Sequence, residues 1–366
     1  MLKFKEAAFI DKVWLLFSQH NEHRILLDRI MFVLDYYIFG SLNFKYLIII
    51  ADLELVVIFL ILISFIRKCI PKYWNICALI VAFCLFDLGN YENADWAMAG
   101  IQNYGVIMLF LLSLFFYNRN GKWAIVAAVF FQFMLVFSSG NGVVGCAVIL
   151  LFTILQKDKS KIIIAAIASI IFISLYFLHY QQSQTPRGTF DTTIPFFFKL
   201  SGAIISFDYA AFFGVVILAL TFFTLPATKK INFKENTLPL VVTLVFVLGT
   251  MCTISYFRSN FSKESKDWFH GSKYLIYPHI LLAVCFVFSF LKMKEKKFKW
   301  PVTIAFALII IFVYQQNMEW GESGFARENL RLTSKPYYGV DEKVAKEIEQ
   351  KACAENIYCA EDADMY

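Results

Sequence analysis

The chain has 366 residues, of which 59% are hydrophobic and 17% charged, and its mean hydropathy is +0.61. This composition is too apolar for a water-soluble domain of that length and predicts an all-α, polytopic integral membrane protein. The net charge is +6, but no basic stripe or nucleic-acid motif is present. We therefore expect basic cytoplasmic loops and no nucleic-acid partner.

The first part of the chain, residues 1–45, contains no complete membrane-spanning segment. Its polar centre is the stretch SQHNEHRILLDRIM. We predict that Asn21 caps an amphipathic helix that ends at Gly40 and lies at the membrane surface. Four ionisable residues share one face of that helix: His20, Arg24, Asp28 and Asp35.

Residues 46–316 form the predicted transmembrane helical domain, with about ten crossings, some of which rely on flanking aromatic residues. The apolar runs are Tyr46–Ile66, Trp74–Leu88, Tyr104–Tyr117, Trp123–Phe137, Val143–Leu155, Ile162–Leu178, Tyr209–Leu225, Leu238–Tyr256, Tyr274–Leu291 and Trp300–Tyr314. Residues 317–366 are predicted to form a short outer tail. Its sequence DEKVAKEIEQKA indicates one amphipathic helix, followed by Cys353 and Cys359, a pair suited to a disulfide in an oxidising periplasm.

Alternate loops between these runs are rich in Lys and Arg, which are retained on the cytoplasmic side of a membrane. The other loops are mixed or acidic, so the N-terminal part and the tail are both predicted to face outward. An outward N-terminus requires about 45 polar-rich residues to cross without a preceding apolar segment. This leads to the hypothesis that an apolar helix encoded upstream is missing from this reading frame.

Ionisable residues packed on a membrane surface are costly, so the N-terminal cluster indicates a functional site. Glu22 is the candidate general base, and His23 or His20 is the candidate second acid or base. Arg24 and Arg29 are candidates to neutralise a phosphate leaving group. The alternative interpretation is an ordinary solvated amphipathic helix.

The outer loops supply further candidates. The segment YENADWAMAGIQN is polar and aromatic, and SSGNG is typical of a tight turn. The loop Phe257–Lys273 carries an excess of basic residues, which indicates a bound anion such as a lipid phosphate; the alternative is a solvated ion-pair loop. The candidate substrate-binding residues are His20, Glu92, Asp95, Trp96 and Asn141.

Several classes of active site are disfavoured. The chain has no P-loop, no GxGxxG after a strand and no GxSxG elbow, which argues against a nucleotide-driven pump, a dehydrogenase and a serine hydrolase. His20 and His23 flank Glu22, but the HExxH spacing and a third ligand are absent. We therefore expect no cofactor, and a divalent metal is not supported.

Four stretches in chain order carry a resemblance to a known family. SQHNEHRILLDRIMFVLDYYIFGSLN, YENADWAMAGIQN, SSGNG and SKYLIY resemble bacterial polytopic membrane proteins of the GT-C glycosyltransferase type. Within that group the similarity is to the O-antigen serotype-converting glucosyltransferases, which take a sugar from a polyprenyl-phosphate donor. The resemblance implies a multi-pass protein of the bacterial inner membrane that acts at the periplasmic face in lipopolysaccharide biosynthesis.

The resemblance also implies roles for particular residues. The catalytic acidic residue of such enzymes lies in the first outer loop, where this chain has Glu22, with Asp11 and Asp28 as rivals. The candidate catalytic residues are Glu22, His23 and Asp28, and the candidate donor-phosphate ligands are Arg24, Arg258 and Lys273. The chain departs from the family in two respects: no transmembrane helix precedes the catalytic loop, and the tail is small.

The partners implied by this chemistry are membrane lipid, a polyprenyl-phosphate-linked sugar and a glycan acceptor, with a flippase and a donor synthase as functional partners. Two other classes of function stay open. A polysaccharide polymerase or ligase requires a larger basic outer loop than Phe257–Lys273. A non-enzymatic flippase or transporter binds its cargo between spans and tolerates the loss of Glu22.

Overall fold

A computed structural model describes residues 1–182, 186–225, 236–260, 272–293, 296–334 and 342–359. Residues 226–235 with the predicted basic loop, Lys294 of the next basic loop, and residues 261–271 of the loop Phe257–Lys273 fall outside the described residues. Within them the chain is helical apart from one short hairpin, which confirms the all-α prediction. The helices are α1 (Leu2–Glu6), α2 (Phe9–Phe17), α3 (Leu26–Phe39), α4 (Phe44–Cys69), α5 (Trp74–Leu85), α6 (Tyr91–Asp95), α7 (Ala97–Tyr117), α8 (Lys122–Ser138), α9 (Asn141–Gln156), α10 (Lys159–Phe177), α11 (Phe190–Gly202), α12 (Ala210–Thr224), α13 (Leu238–Arg258), α14 (Ile276–Lys292), α15 (Lys296–Ser334) and α16 (Glu342–Ala354).

Six segments in the described ranges are long and apolar enough to span a membrane, as expected of a multi-pass membrane protein. They are Phe44–Cys69, Trp74–Asp95, Ala97–Tyr117, Lys159–Phe177, Leu238–Arg258 and Trp300–Gly324. Helices α8, α9, α12 and α14 are also apolar but have only 15 to 17 residues. Each of the ten predicted runs therefore coincides with a helix, whereas six of them meet the length expected of a span.

Three helices form the centre of the bundle. Every residue of α14 from Ile276 to Phe290 is buried, as expected of a helix that is apolar on all sides. Helix α13 packs against it, and the rings of Phe110 of α7 and Phe246 of α13 stack at a centroid distance of 4.0 Å, which joins α7 to the same core. Dispersion and close packing, rather than a hydrophobic effect, hold such helices together in lipid.

The sequence explains where several helices begin and end. Asn43 caps α4, because its side chain accepts hydrogen bonds from the backbone N–H groups of Lys45 and Tyr46. Gly40 ends α3 with a φ of 78°, the left-handed conformation that glycine adopts without strain. This confirms the predicted end of that helix.

A helix runs across the boundary predicted between the transmembrane domain and the tail. Helix α15 continues from Lys296 to Ser334, past the expected boundary at residue 316. The amphipathic tail helix is confirmed as α16, and Cys353 forms a disulfide with Cys359. The loop closed by this disulfide packs on the start of α4, where the N–H of Leu42 donates to the carbonyl of Ile357 at 2.7 Å.

The disulfide gives an independent test of orientation, because disulfides persist in oxidising compartments. We expect a membrane-impermeant thiol reagent to label Cys353 and Cys359 in whole cells only after reduction, as read by mass spectrometry of the tail peptide. Labelling of both cysteines without reduction would contradict the disulfide. Absence of labelling after reduction, with labelling restored in opened cells, would contradict the outward tail.

Candidate functional site

A two-stranded hairpin replaces the predicted start of the surface helix. Strand β1 (Gln19–His20) pairs antiparallel with β2 (His23–Arg24). Asn21 occupies the turn with a φ of 48°, a left-handed conformation that asparagine tolerates better than most residues. The prediction that Asn21 caps a helix is therefore wrong, since the helix begins at Leu26. As a result, Glu22 lies at the tip of the hairpin.

Arg24 fixes the hairpin to the rest of the bundle. Its buried guanidinium donates to the backbone carbonyls of Tyr176 at 2.8 Å and Leu178 at 2.5 Å, and also to that of Phe17. Tyr180 also holds the hairpin, because its hydroxyl donates a hydrogen bond to the backbone carbonyl of Glu22 at 3.0 Å. Three donors of Arg24 are thus directed to backbone carbonyls, and Arg24 does not line the cavity described below; its role as a phosphate ligand stays a prediction.

A cavity of about 390 Å³ lies beside the hairpin tip. It is lined by residues 20–23, the first turns of α7, the turn between α8 and α9, the end of α10, the end of α13 and the short 3₁₀ turn before α14. All these helix ends adjoin the loops predicted to face outward, which are mixed or acidic apart from the basic loop Phe257–Lys273. The alternating orientation predicted for the spans therefore agrees with the way in which the helices meet here.

Seven of the predicted site residues line this cavity: His20, Glu22, His23, Trp96, Asn141, Arg258 and Lys273. A Glu22 carboxylate oxygen lies 3.3 Å from Nη2 of Arg258, and both side chains are mostly buried. The Lys273 ammonium lies 5.2 Å from the centroid of the Trp96 ring, within range of a cation–π interaction. Their catalytic and binding roles stay predictions.

Three other predicted site residues do not line the cavity. Asp28 is 1% exposed and lies within α3. Asp95 ends α6 with a partly exposed side chain. Glu92 lies outside the cavity lining, and its carboxylate accepts a hydrogen bond from the backbone N–H of Lys273 at 3.2 Å. Glu92 therefore holds the backbone of Lys273, and its role in substrate binding stays a prediction.

Sequence reasoning assigned no role to several further lining residues. Gln102 and Asn103 lie nearly two helical turns beyond Trp96, and Tyr180 and Tyr274 contribute ring surface. Gln102 and Asn103 belong to the polar stretch that the sequence analysis singled out, so their proximity to Trp96 was a usable signal. Tyr180 had no such signal, because it follows a long apolar run.

The electrostatics of the site make His23 a neutral imidazole at neutral pH. Burial, and then the positive charge of Arg258, lower the pKa of His23 to about 4 from its ordinary value of 6.5. Its Nδ1 atom is buried and has no hydrogen-bond partner among the described residues. A ring with so low a pKa is a weak base, so at neutral pH it suits a positioning group better than a general base.

The contribution of Arg258 to the low pKa of His23 can be tested by substitution. We expect Arg258→Gln to raise the pKa of His23 toward 6.5, measured by NMR on histidine-labelled protein, because the variant removes a positive charge that disfavours the imidazolium. A depressed histidine pKa also costs stability as the pH falls from 6.5 to about 4, since the unfolded chain takes up the proton first. The control is Arg119→Gln, which is remote from the cavity. An unchanged His23 pKa would contradict the proposed electrostatic cause.

The remaining wall of the cavity is apolar. Val143, Val144, Phe177, Ile254 and Phe257 come from α9, α10 and α13. The cavity thus combines an acidic group, two cations and a hydrocarbon surface, an arrangement that suits an amphiphilic anion. No group of three or more potential metal ligands occurs among the residues that the structure describes.

No family model, curated protein or solved structure matches the chain. The residues of the cavity are therefore the basis for inferring the function.

Proposed function

We propose that this protein is a membrane glycosyltransferase that moves a sugar from a polyprenyl-phosphate donor to a cell-surface glycan. One observation carries the proposal: Glu22, Arg258 and Lys273, which come from distant segments of the chain, line one cavity with an apolar wall. A lipid-linked phosphosugar requires cations for its phosphate and an apolar surface for its chain, and the acceptor hydroxyl requires a base.

In the proposed reaction, Glu22 takes the proton from the acceptor hydroxyl. The acceptor oxygen then forms a bond to the anomeric carbon of the sugar, and the bond between that carbon and the phosphate oxygen breaks. The electron pair of the broken bond stays on the phosphate, whose charge Lys273 and Arg258 neutralise. Neutral His23 and the exposed His20 adjoin Glu22 as positioning or proton-transfer groups, and Trp96 offers a ring face to the sugar.

The proposed function also requires a particular orientation of the protein in the membrane. Helices α8, α9, α12 and α14 cross together with the six longer segments, which gives ten spans. The cavity and the Cys353–Cys359 disulfide then face the periplasm of a bacterial inner membrane. A donor synthase and a flippase supply the lipid-linked sugar at that face. The support for this orientation is the distribution of Lys and Arg among the loops.

The proposal is tested with purified protein in nanodiscs, a lipid extract of the producing cells and the isolated surface glycan. We expect mass spectrometry to show glycan repeat units heavier by one sugar residue, and the lipid donor to be consumed. Longer glycan chains with repeats of unchanged mass would instead indicate a polymerase or ligase. Unchanged glycan and donor would contradict any transferase and favour a transporter.

A further inference from the structure

A second group of ionisable side chains lies buried outside the cavity. Asp28 of α3 is 1% exposed and Glu54 of α4 is 4% exposed. All four carboxyl oxygens are buried, and none accepts a hydrogen bond from another described residue. An isolated carboxylate in such surroundings is strongly disfavoured, so these groups must be neutral or bind a counter-charge.

The packing brings both residues to one junction. A Cβ atom placed on Gly105 of α7 would lie 2.5 Å from Cδ2 of Leu27 and 3.2 Å from a carboxyl oxygen of Glu54. Glu54 and Leu27, the residue preceding Asp28, thus converge on the same point of α7, and the Asp28 and Glu54 carboxyl groups are close enough to interact electrostatically. Because Gly105 has no side chain, it leaves the space in which the Glu54 carboxyl lies.

Among the described residues, no cation on a neighbouring element forms a hydrogen bond with the carboxyl group of Asp28 or of Glu54. The guanidinium groups of Arg24 and Arg29 donate to backbone carbonyls of α2 and of residues near the ends of α2 and α10. Helix α7 has no Asp, Glu, Lys or Arg, and its titratable side chains are Tyr104 and Tyr117. Asp35 of α3 is buried and accepts a hydrogen bond from the backbone N–H of Asn43. The other charged residues on packed elements are exposed or partly exposed: Asp11, Lys12, Lys45, Asp52, Arg67, Lys68, Glu92, Asp95, Lys122 and Arg258.

We propose that Asp28 and Glu54 form a buried proton-binding site that holds at least one proton at neutral pH. Two ionised carboxylates at this junction would repel each other without a cation to separate them. Burial also raises the pKa of Asp28 well above its ordinary range, and the nearby charge of Arg29 only partly opposes this. Asp28 is therefore not an exposed catalytic acid but half of an internal acid pair.

The site makes the packing of α3 sensitive to pH. An acid whose pKa is raised in the folded state is neutral there but ionised in the unfolded chain above its ordinary pKa. Stability is therefore fully present below the ordinary pKa of about 3.8 and is lost as the pH rises toward the raised value. The hairpin that carries Glu22 joins α3 through Ile25 alone, so the junction adjoins the cavity elements.

The test is infrared spectroscopy of the full-length protein in nanodiscs at pH 7. We expect the carbonyl stretch of protonated carboxylic acid to weaken in the Asp28→Asn, Glu54→Gln double variant and to be unchanged in the exposed control Asp11→Asn. An identical stretch in the wild type and the double variant would overturn the proposal.

A second measurement follows the unfolding temperature from pH 5 to pH 9. We expect it to fall with pH in the wild type and to fall less in Glu54→Gln, a single isosteric change that can be used if the double variant does not fold. Stabilisation of the wild type, but not of Glu54→Gln, by sodium or magnesium chloride over choline chloride would instead indicate a metal-cation site and overturn the proton assignment.

Discussion

Glu22→Gln is expected to abolish sugar transfer while leaving the fold intact. The amide keeps the size of the carboxylate and one acceptor oxygen for Arg258, but it is uncharged and cannot take a proton from an acceptor hydroxyl. Loss of a general base typically lowers kcat by about 100- to 10,000-fold. The measurement is the initial rate of transfer by purified protein in nanodiscs, with the unfolding temperature measured in parallel.

The matched control is Asp11→Asn, which removes a carboxylate from an exposed position of α2. Asp11 was a rival for the catalytic role, but it does not line the cavity. We expect its variant to retain the wild-type rate. Full activity of Glu22→Gln, or loss of activity only in Asp11→Asn, would contradict the role assigned to Glu22.

Lys273→Met is expected to weaken donor binding. Its ammonium lies over the Trp96 ring at the cavity wall, and hydrogen bonds to a charged partner contribute about 1.5–3 kcal/mol. The corresponding rise in KM for the lipid donor is about 10- to 100-fold. We expect Lys273→Arg to recover most of the affinity, because it restores the positive charge. KM is measured by varying the donor at saturating acceptor.

Two results would contradict an anion-binding role for Lys273. One is an equal loss of affinity in Lys273→Met and Lys273→Arg, which would indicate a packing role. The other is an unchanged KM in both variants. A control at Lys351, an exposed residue of α16 that pairs with Glu6, should leave KM unchanged.

The helical part of the fold was predictable from two patterns in the sequence. Hydropathy indicates which segments are apolar enough to lie in lipid, and the distribution of Lys and Arg indicates which loops face the cytoplasm. Each of the ten predicted runs coincides with a helix. The hairpin was not predictable from the sequence pattern, because strands of two residues are too short to show an alternation of apolar and polar residues. Asn21 is favoured both as a helix cap and in a left-handed turn, so its identity does not distinguish the two.

The candidate site was predictable in part for a similar reason. Arg258 and Lys273 were expected near Glu22 because all three belong to outer segments. Arg24 was expected there too, but its side chain turns toward carbonyls at the ends of α2 and α10. Nothing in the local sequence records that long-range contact. Asp28 differs again, since its burial depends on how α3 packs against α4 and α7.

The most direct test of the proposed transfer is the mass of the surface-glycan repeat unit in three strains. These are a deletion strain, the same strain with the wild-type gene, and the same strain with Glu22→Gln at matched protein levels. We predict that only the wild-type gene adds the mass of one sugar residue to each repeat. Repeat units of equal mass in all three strains would contradict the proposal.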